Sequence, residues 1–202
     1  LSYITGTDPT KDCFTINDGN ISMKAWYSNK PLQIIGGKCR INGGKIHLKG
    51  QESDARSISS EYGITLRYKK ATDYIYSKTF LSDSTVSIAE NMAFTDGTYT
   101  YDHNTPSDKL KALNGVTLTP AGAHSVTIAC YKARATVTTN ADEKVFENEN
   151  IFLTVTPNEG YAVKSVKYNG IKITPTEGVY NFTMPAEDVT VIAELEGIAP
   201  IT

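Results

Sequence analysis

Residues able to do acid, base or nucleophilic chemistry are present in this chain but scattered. The histidines are His47, His103 and His124, each in a different stretch, and spacing brings no two of them together. Asp102-His103 has the composition of an acid/base pair. It sits among turn formers from Thr98 to Pro106, where Asp and Asn side chains commonly bond the local backbone. No GxSxG, HExxH, P-loop or dinucleotide glycine fingerprint occurs, so no catalytic residue is assigned. Asn17-Asp18-Gly19-Asn20 and Thr95-Asp96-Gly97-Thr98 offer oxygens to a calcium ion, which takes six to eight, but both are short of carboxylates and read as turns. Cys13, Cys39 and Cys130 form no CxxC pair and no Cys/His cluster of zinc spacing. No metal ligand and no cofactor is expected.

A more informative pattern is a row of cations carried by a repeat. Ile16-Asn17-Asp18-Gly19-Asn20-Ile21-Ser22-Met23-Lys24-Ala25 matches Ile41-Asn42-Gly43-Gly44-Lys45-Ile46-His47-Leu48-Lys49-Gly50 at an offset of 25, and Gly63-Ile64-Thr65-Leu66-Arg67-Tyr68 reads as a partial third copy. Alternation turns Ile21/Met23, Ile46/Leu48 and Ile64/Leu66 inward. Stacking the copies as coils of a parallel β-helix would put Lys24, Lys49 and Arg67 in one outward column, beside a second column of Ser22, His47 and Thr65. Neighbouring strands lie about 4.8 Å apart, so such a column repels itself unless solvent, counter-ions or an anionic ligand screens it. The ordinary explanation is a solvated sheet face. The functional one is a track for an acidic polysaccharide, with Trp26 or Tyr68 packing on a sugar ring. A plain antiparallel meander with coincidental similarity is the structural alternative to the coils.

Cys13 and Cys39 each precede a copy of the repeat. Stacking brings them near each other, while their registers differ by one residue, which favours opposite faces. A disulfide and a pair of buried free thiols both remain open.

These elements must come from a chain of 202 residues, enough for one large domain or two small ones. Runs rich in Val, Ile, Thr and Tyr between Gly, Asn, Asp and Pro give an all-β chain: a short β-helix-like or β-sandwich N-terminal part followed by a smaller β module. The one helical stretch is Ser107 to Leu113, a turn or two long. With 20 Lys+Arg against 22 Asp+Glu the net charge is −2, which disfavours nucleic acid as a partner. No apolar run approaches the roughly 18 residues that span a bilayer. The chain begins at Leu1 with no basic-then-apolar stretch, so a leader is expected to have been removed or never present. Residues 1–70 carry +5, 71–131 carry −3 and 132–202 carry −4. That shift, with a new strand pattern from Arg134, puts the expected boundary at 131/132, dividing a domain of repeat (1–70) and connecting segment (71–131) from the module.

In that module Leu153-Thr154-Val155-Thr156-Pro157-Asn158-Glu159-Gly160-Tyr161, Val166-Lys167-Tyr168-Asn169-Gly170 and Phe182-Thr183-Met184-Pro185-Ala186-Glu187-Asp188-Val189-Thr190-Val191 follow one another. Together they resemble the divergent internalin-type B-repeat of bacterial secreted and surface proteins, over about residues 133–196. The family often carries Trp where Lys167 or Tyr168 stands. The resemblance implies a small β-grasp-like module, used as a spacer or interaction domain, with no catalytic residues to carry over. The middle segment, from Asp73-Tyr74-Ile75-Tyr76 to Thr119-Pro120, is similar to segments that bacterial surface proteins place between a β-helical stretch and such repeats. The expected function is therefore a non-enzymatic module of a bacterial surface or secreted protein, part of a larger chain, serving adhesion, display or ligand binding. Its expected partners are an acidic polysaccharide or a host or cell-surface protein, and the alternative is a glycan-binding accessory region of a polysaccharide-acting enzyme.

Overall fold

The computed structural model describes residues 2–8, 10–24, 32–49, 58–77, 80–82 and 85–198. The chain divides into two units, Leu1–Ala121 and Gly122–Thr202, each with its own apolar core.

The first unit winds in coils of three strands. The first coil is β1 (Ser2–Thr5), β2 (Asp12–Ile16) and β3 (Asn20–Lys24). The second is β4 (Leu32–Ile35), β5 (Lys38–Ile41) and β6 (Lys45–Lys49), and the third β7 (Ile58–Ser60), β8 (Ile64–Leu66) and β9 (Tyr74–Ser77). A fourth coil begins with β10 (Phe80–Ser82) and β11 (Val86–Ile88). Each coil gives one strand to each of three ladders, β1-β4-β7-β10, β2-β5-β8-β11 and β3-β6-β9, and every pair in them is parallel. The antiparallel meander is not what forms over these residues.

Identical inward positions sit on one another. Ile16, Ile41, Leu66 and Ile88 are successive partners in one ladder, and Ile21, Ile46 and Ile75 in another. Ile41, Ile46, Leu48 and Leu66 are fully buried, which stabilises by roughly 1.5–3 kcal/mol per side chain before entropy is counted. The corner between β2 and β3 repeats 25 residues later: the Asn42 amide donates to Asn17 Oδ1 at 2.8 Å. Turn geometry holds the corner tight, since a Cβ on Gly44 (φ +103°) would lie 2.7 Å from the Gly19 carbonyl oxygen.

After β11 the chain reverses through β12 (Ala93–Thr95), β13 (Thr100–Asp102), the single-turn helix α1 (Ser107–Lys111) and β14 (Val116–Pro120). β14 runs antiparallel to β9 and to β12, which completes a six-stranded sheet β13-β12-β14-β9-β6-β3. α1 buries Leu110 and falls inside the expected Ser107–Leu113, and the Ser107 hydroxyl accepts the Val86 N–H at 2.8 Å.

The second unit has eight strands: β15 (Ala123–Cys130), β16 (Ala135–Thr139), β17 (Lys144–Phe146), β18 (Asn150–Pro157), β19 (Tyr161–Tyr168), β20 (Ile171–Ile173), β21 (Val179–Thr183) and β22 (Val189–Gly197). They form a five-stranded sheet β17-β15-β22-β19-β20 and a three-stranded sheet β16-β18-β21. Strict alternation along β18 buries Ile151, Leu153 and Val155 against Val166, Val189 and Val191 of the larger sheet. Tyr168 and Phe182 stack between the sheets, ring centroids 4.4 Å apart. The β19–β20 connection is Asn169-Gly170, both at positive φ (44° and 84°), as a two-residue hairpin requires.

Two expectations change here. The division falls at Ala121/Gly122, not at 131/132, because β15 pairs in parallel with β22 from Val126↔Val189 to Cys130↔Ala193 and lies inside the second unit's larger sheet. The module also has eight strands in two sheets, in place of the five that the sequence pattern marks at 135–139, 150–157, 162–168, 180–183 and 189–195. β15, β17 and β20 were missed: two of them are three residues long, and β15 pairs with a strand some sixty residues later, so no local turn marks it.

Candidate functional site

The outward face of the six-stranded sheet is set by alternation. In β3, β6 and β9 the inward residues are Ile21/Met23, Ile46/Leu48 and Ile75/Ser77, so the outward rows are Asn20, Lys45, Tyr74 and Ser22, His47, Tyr76. Thr117 of β14 extends the second row. His47 and Tyr76 stack with centroids 4.5 Å apart and planes 21° apart, and both are half-buried. The row therefore holds two rings face to face, edges outward, between the small hydroxyl residues Ser22 and Thr117.

Lys24 and Lys49 are register partners in β3 and β6. Arg67 does not join them. It follows β8 in a different sheet, one step past the Ile41–Leu66 pair, with its N–H donating to the Ile41 carbonyl at 2.7 Å, and so continues the Asn17–Asn42 corner. The sequence alignment of the third copy placed it wrongly because that corner carries extra residues. β8 stacks on β5, and the true third member of the Ile21–Ile46 column is Ile75, 29 residues after Ile46. The insertion closes through Asp73, whose buried carboxylate accepts the N–H groups of Lys69 and Lys70 at 2.7 and 3.0 Å. Thr65 leaves the second column for the same reason, and Tyr76 takes its place. Tyr68 packs against the core with its ring edge-on to Phe94, centroids 5.2 Å apart, rather than facing a ligand. Trp26 lies outside the described residues.

A cleft of about 390 Å³ lies beside α1, lined by Tyr99, Tyr101, Thr105, Pro106, Lys109 and Leu113, among others. Tyr99 is 67% exposed, while the Tyr101 hydroxyl donates to Asp96 at 2.7 Å. That bond and burial push Tyr101 up to about 12, with burial the larger cause. Asp96 also accepts the N–H groups of Tyr99 and Thr98 at 2.7 and 2.8 Å, and these bonds hold its carboxyl below the ordinary 3.8. Its oxygens are thus committed to the turn.

The remaining candidates resolve into local structure. Asp102 accepts the Asn104 N–H at 2.9 Å, and His103 is exposed beside it. Asp18 accepts the Gly19 N–H at 2.7 Å and pairs with Lys70 at 3.4 Å. Among the described residues no group of three or more His, Cys, Asp or Glu is placed to hold a metal ion. The three cysteines are free thiols. The ladder shifts register between Asp12 and Phe14, which turns Cys13 toward the core beside Gly37. Burial pushes the Cys39 thiol up to about 12, with Cys13 as the second cause.

Residues 124–199 match the model of the divergent InlB B-repeat domain. That family is a non-catalytic module typical of bacterial surface proteins. The match starts at the second residue of β15, in keeping with a division at 121/122. No curated protein and no solved structure matches the chain. No helix among the described residues is long and apolar enough to cross a membrane.

Proposed function

We propose that this chain is a non-enzymatic part of a larger secreted or surface-attached bacterial protein, in which the second unit is the spacer and the first, β-helix-like unit carries the adhesive face. The ligand is an acidic polysaccharide, bound on the outward face of β3, β6 and β9. The observation that carries this reading is the stacked His47–Tyr76 pair directly beside the Lys24–Lys49 register pair. Each stacked ring keeps one face, the one turned away from its partner, free to lie along a sugar, and lysines at register positions on strands about 4.8 Å apart bring two positive charges to closely spaced carboxylates or sulfates. Arg67 and Tyr68 of the original track drop out on position, and Tyr76 replaces them.

The test is binding of polygalacturonate to the full chain across a salt series. Affinity should fall with ionic strength, as exposed charge pairs do. Lys24→Gln with Lys49→Gln should weaken binding and flatten the salt dependence, and Tyr76→Ala should weaken it at every salt concentration. Equal binding by wild type and both variants would exclude this face. The accessory-region reading is favoured instead by the Tyr99 cleft: a neutral oligosaccharide bound there, lost in Tyr99→Ala and indifferent to salt, would point to a glycan-active parent protein.

A further inference from the structure

The two ends of the coil stack are finished differently. At the β11 end, β14 pairs with β9 and α1 packs on β10 and β11. At the other end, β1, β2 and β3 are edge strands of their three sheets, with no strand paired to their outer sides among the described residues. Side-chain burial shows the same asymmetry at equivalent positions. Ile46 and Leu48 of the second coil are 0% exposed, whereas their register partners Ile21 and Met23 in the first are only half-buried. Phe14 beside Cys39 is likewise half-buried while Cys39 is 1% exposed.

Three strand edges at one end of the stack, around a partly bare apolar core, make a template for further pairing, which proteins normally cover or charge. We infer that this end of the stack is an interaction surface whose occupant is one more coil of the same winding, a segment of alternating aliphatic residues running parallel to β1, β2 and β3 at once. The registers decide between occupants. A parallel coil repeats on the first coil what the second already does, with aliphatic residues meeting Ile21 and Met23 as Ile46 and Leu48 do. A second copy of this chain, related by a two-fold axis, would meet these edges with strands of opposite direction and would lose that match. The acidic-polysaccharide reading is not involved, since the glycan face points outward and this surface faces along the stack.

The probe is the chain's own second coil. Amide exchange of β2 and β3 is measured in the full chain, with and without a synthetic peptide of residues 32–49, and again in a chain carrying those residues fused ahead of Leu1. The expected result is at least tenfold slower exchange at Asn20 and Ser22, whose N–H groups face away from β6, with the native peptide or fusion, and no change with a scrambled sequence of the same composition. Met23→Lys should abolish the protection while leaving β15–β22 exchange unchanged. Failure of both peptide and fusion to protect, or equal protection by the scrambled sequence, overturns the inference. So does a chain that dimerises unaided with those amides already protected, which would assign the surface to a second copy. Polygalacturonate binding, measured in parallel, reports separately on the outward face.

Discussion

The coil stack and the two-sheet unit are both all-β, yet they are held together at different ranges. In the stack, each strand pairs with the strand one coil away, so along β3, β6 and β9 the same inward position recurs 25 and then 29 residues later and each coil buries its neighbours. In the two-sheet unit, the first strand, β15, is held by the last, β22, and by β17. A repeat architecture can therefore lose or gain a coil at its end with local consequences, whereas the two-sheet unit loses a sheet interior when either terminus is removed. This contrast teaches that a boundary error of ten residues matters little in one region and decides folding in the other.

The sharpest way to break the comparison is truncation. A chain of residues 122–202 should show a cooperative thermal transition, and one of 132–202 should show none, because without β15 the larger sheet is split between β17 and β22. A cooperative transition in the shorter chain would remove β15 from the unit. At about eighty residues the longer piece is already near the size at which a core is marginal.

Core truncations come next. Ile46→Ala and Leu153→Ala each delete a buried aliphatic group and should each cost about 2–5 kcal/mol. Separate unfolding transitions, followed by calorimetry, should show each substitution moving only its own unit. A shift of both would mean the units do not unfold independently.

Glycine substitutions sharpen the difference in how turns are used. Gly44→Ala should destabilise the stack by roughly 1–3 kcal/mol or more, since its Cβ would press on the Gly19 backbone of the adjacent coil. Gly170→Ala meets open space and should cost only about 1–2 kcal/mol of backbone strain. Urea midpoints for the pair check the order.

The smallest effect is the response to acid. Asp96 in the first unit and Glu194 in the second both titrate below their ordinary 3.8 and 4.5. The Tyr99 N–H is the leading cause for Asp96, and the Ser165 hydroxyl, ahead of Lys167, for Glu194. A carboxyl lowered on folding stabilises above its unfolded value, and that contribution is lost as pH falls through the folded value. Both units should therefore weaken below about pH 4. Asp96→Asn should flatten the acid limb of the first unit alone, and Glu194→Gln that of the second.

Alternation alone made the inward residues Ile46, Leu48, Ile64 and Leu66 legible, and the offset of 25 paired Lys24 with Lys49 correctly. It could not show that β8 stacks on β5 instead of continuing the Ile21–Ile46 column, because alternation marks a face but not which of three faces. The five-residue corner from Lys69 to Asp73 carries that information, and its role depends on Asp73 reaching two backbone N–H groups. For the same reason the His47–Tyr76 stack was not foreseen. The two residues stand 29 apart, and only the lengthened corner brings their strands side by side.

The amino-acid sequence by itself determined what is local or periodic: the all-β class, the coil repeat, the Asn169-Gly170 turn, the short helix and the B-repeat pattern of the C-terminal third. Side-chain alternation and turn preferences are properties of neighbouring residues, so they can be read along the chain. Only the tertiary structure decided where the units divide, that β15 pairs with β22, that Arg67 leaves the lysine column and that Tyr76 takes the place of Thr65 beside His47. Those outcomes depend on strand pairing between distant segments, which alternation permits in several registers and the packing of a closed core selects.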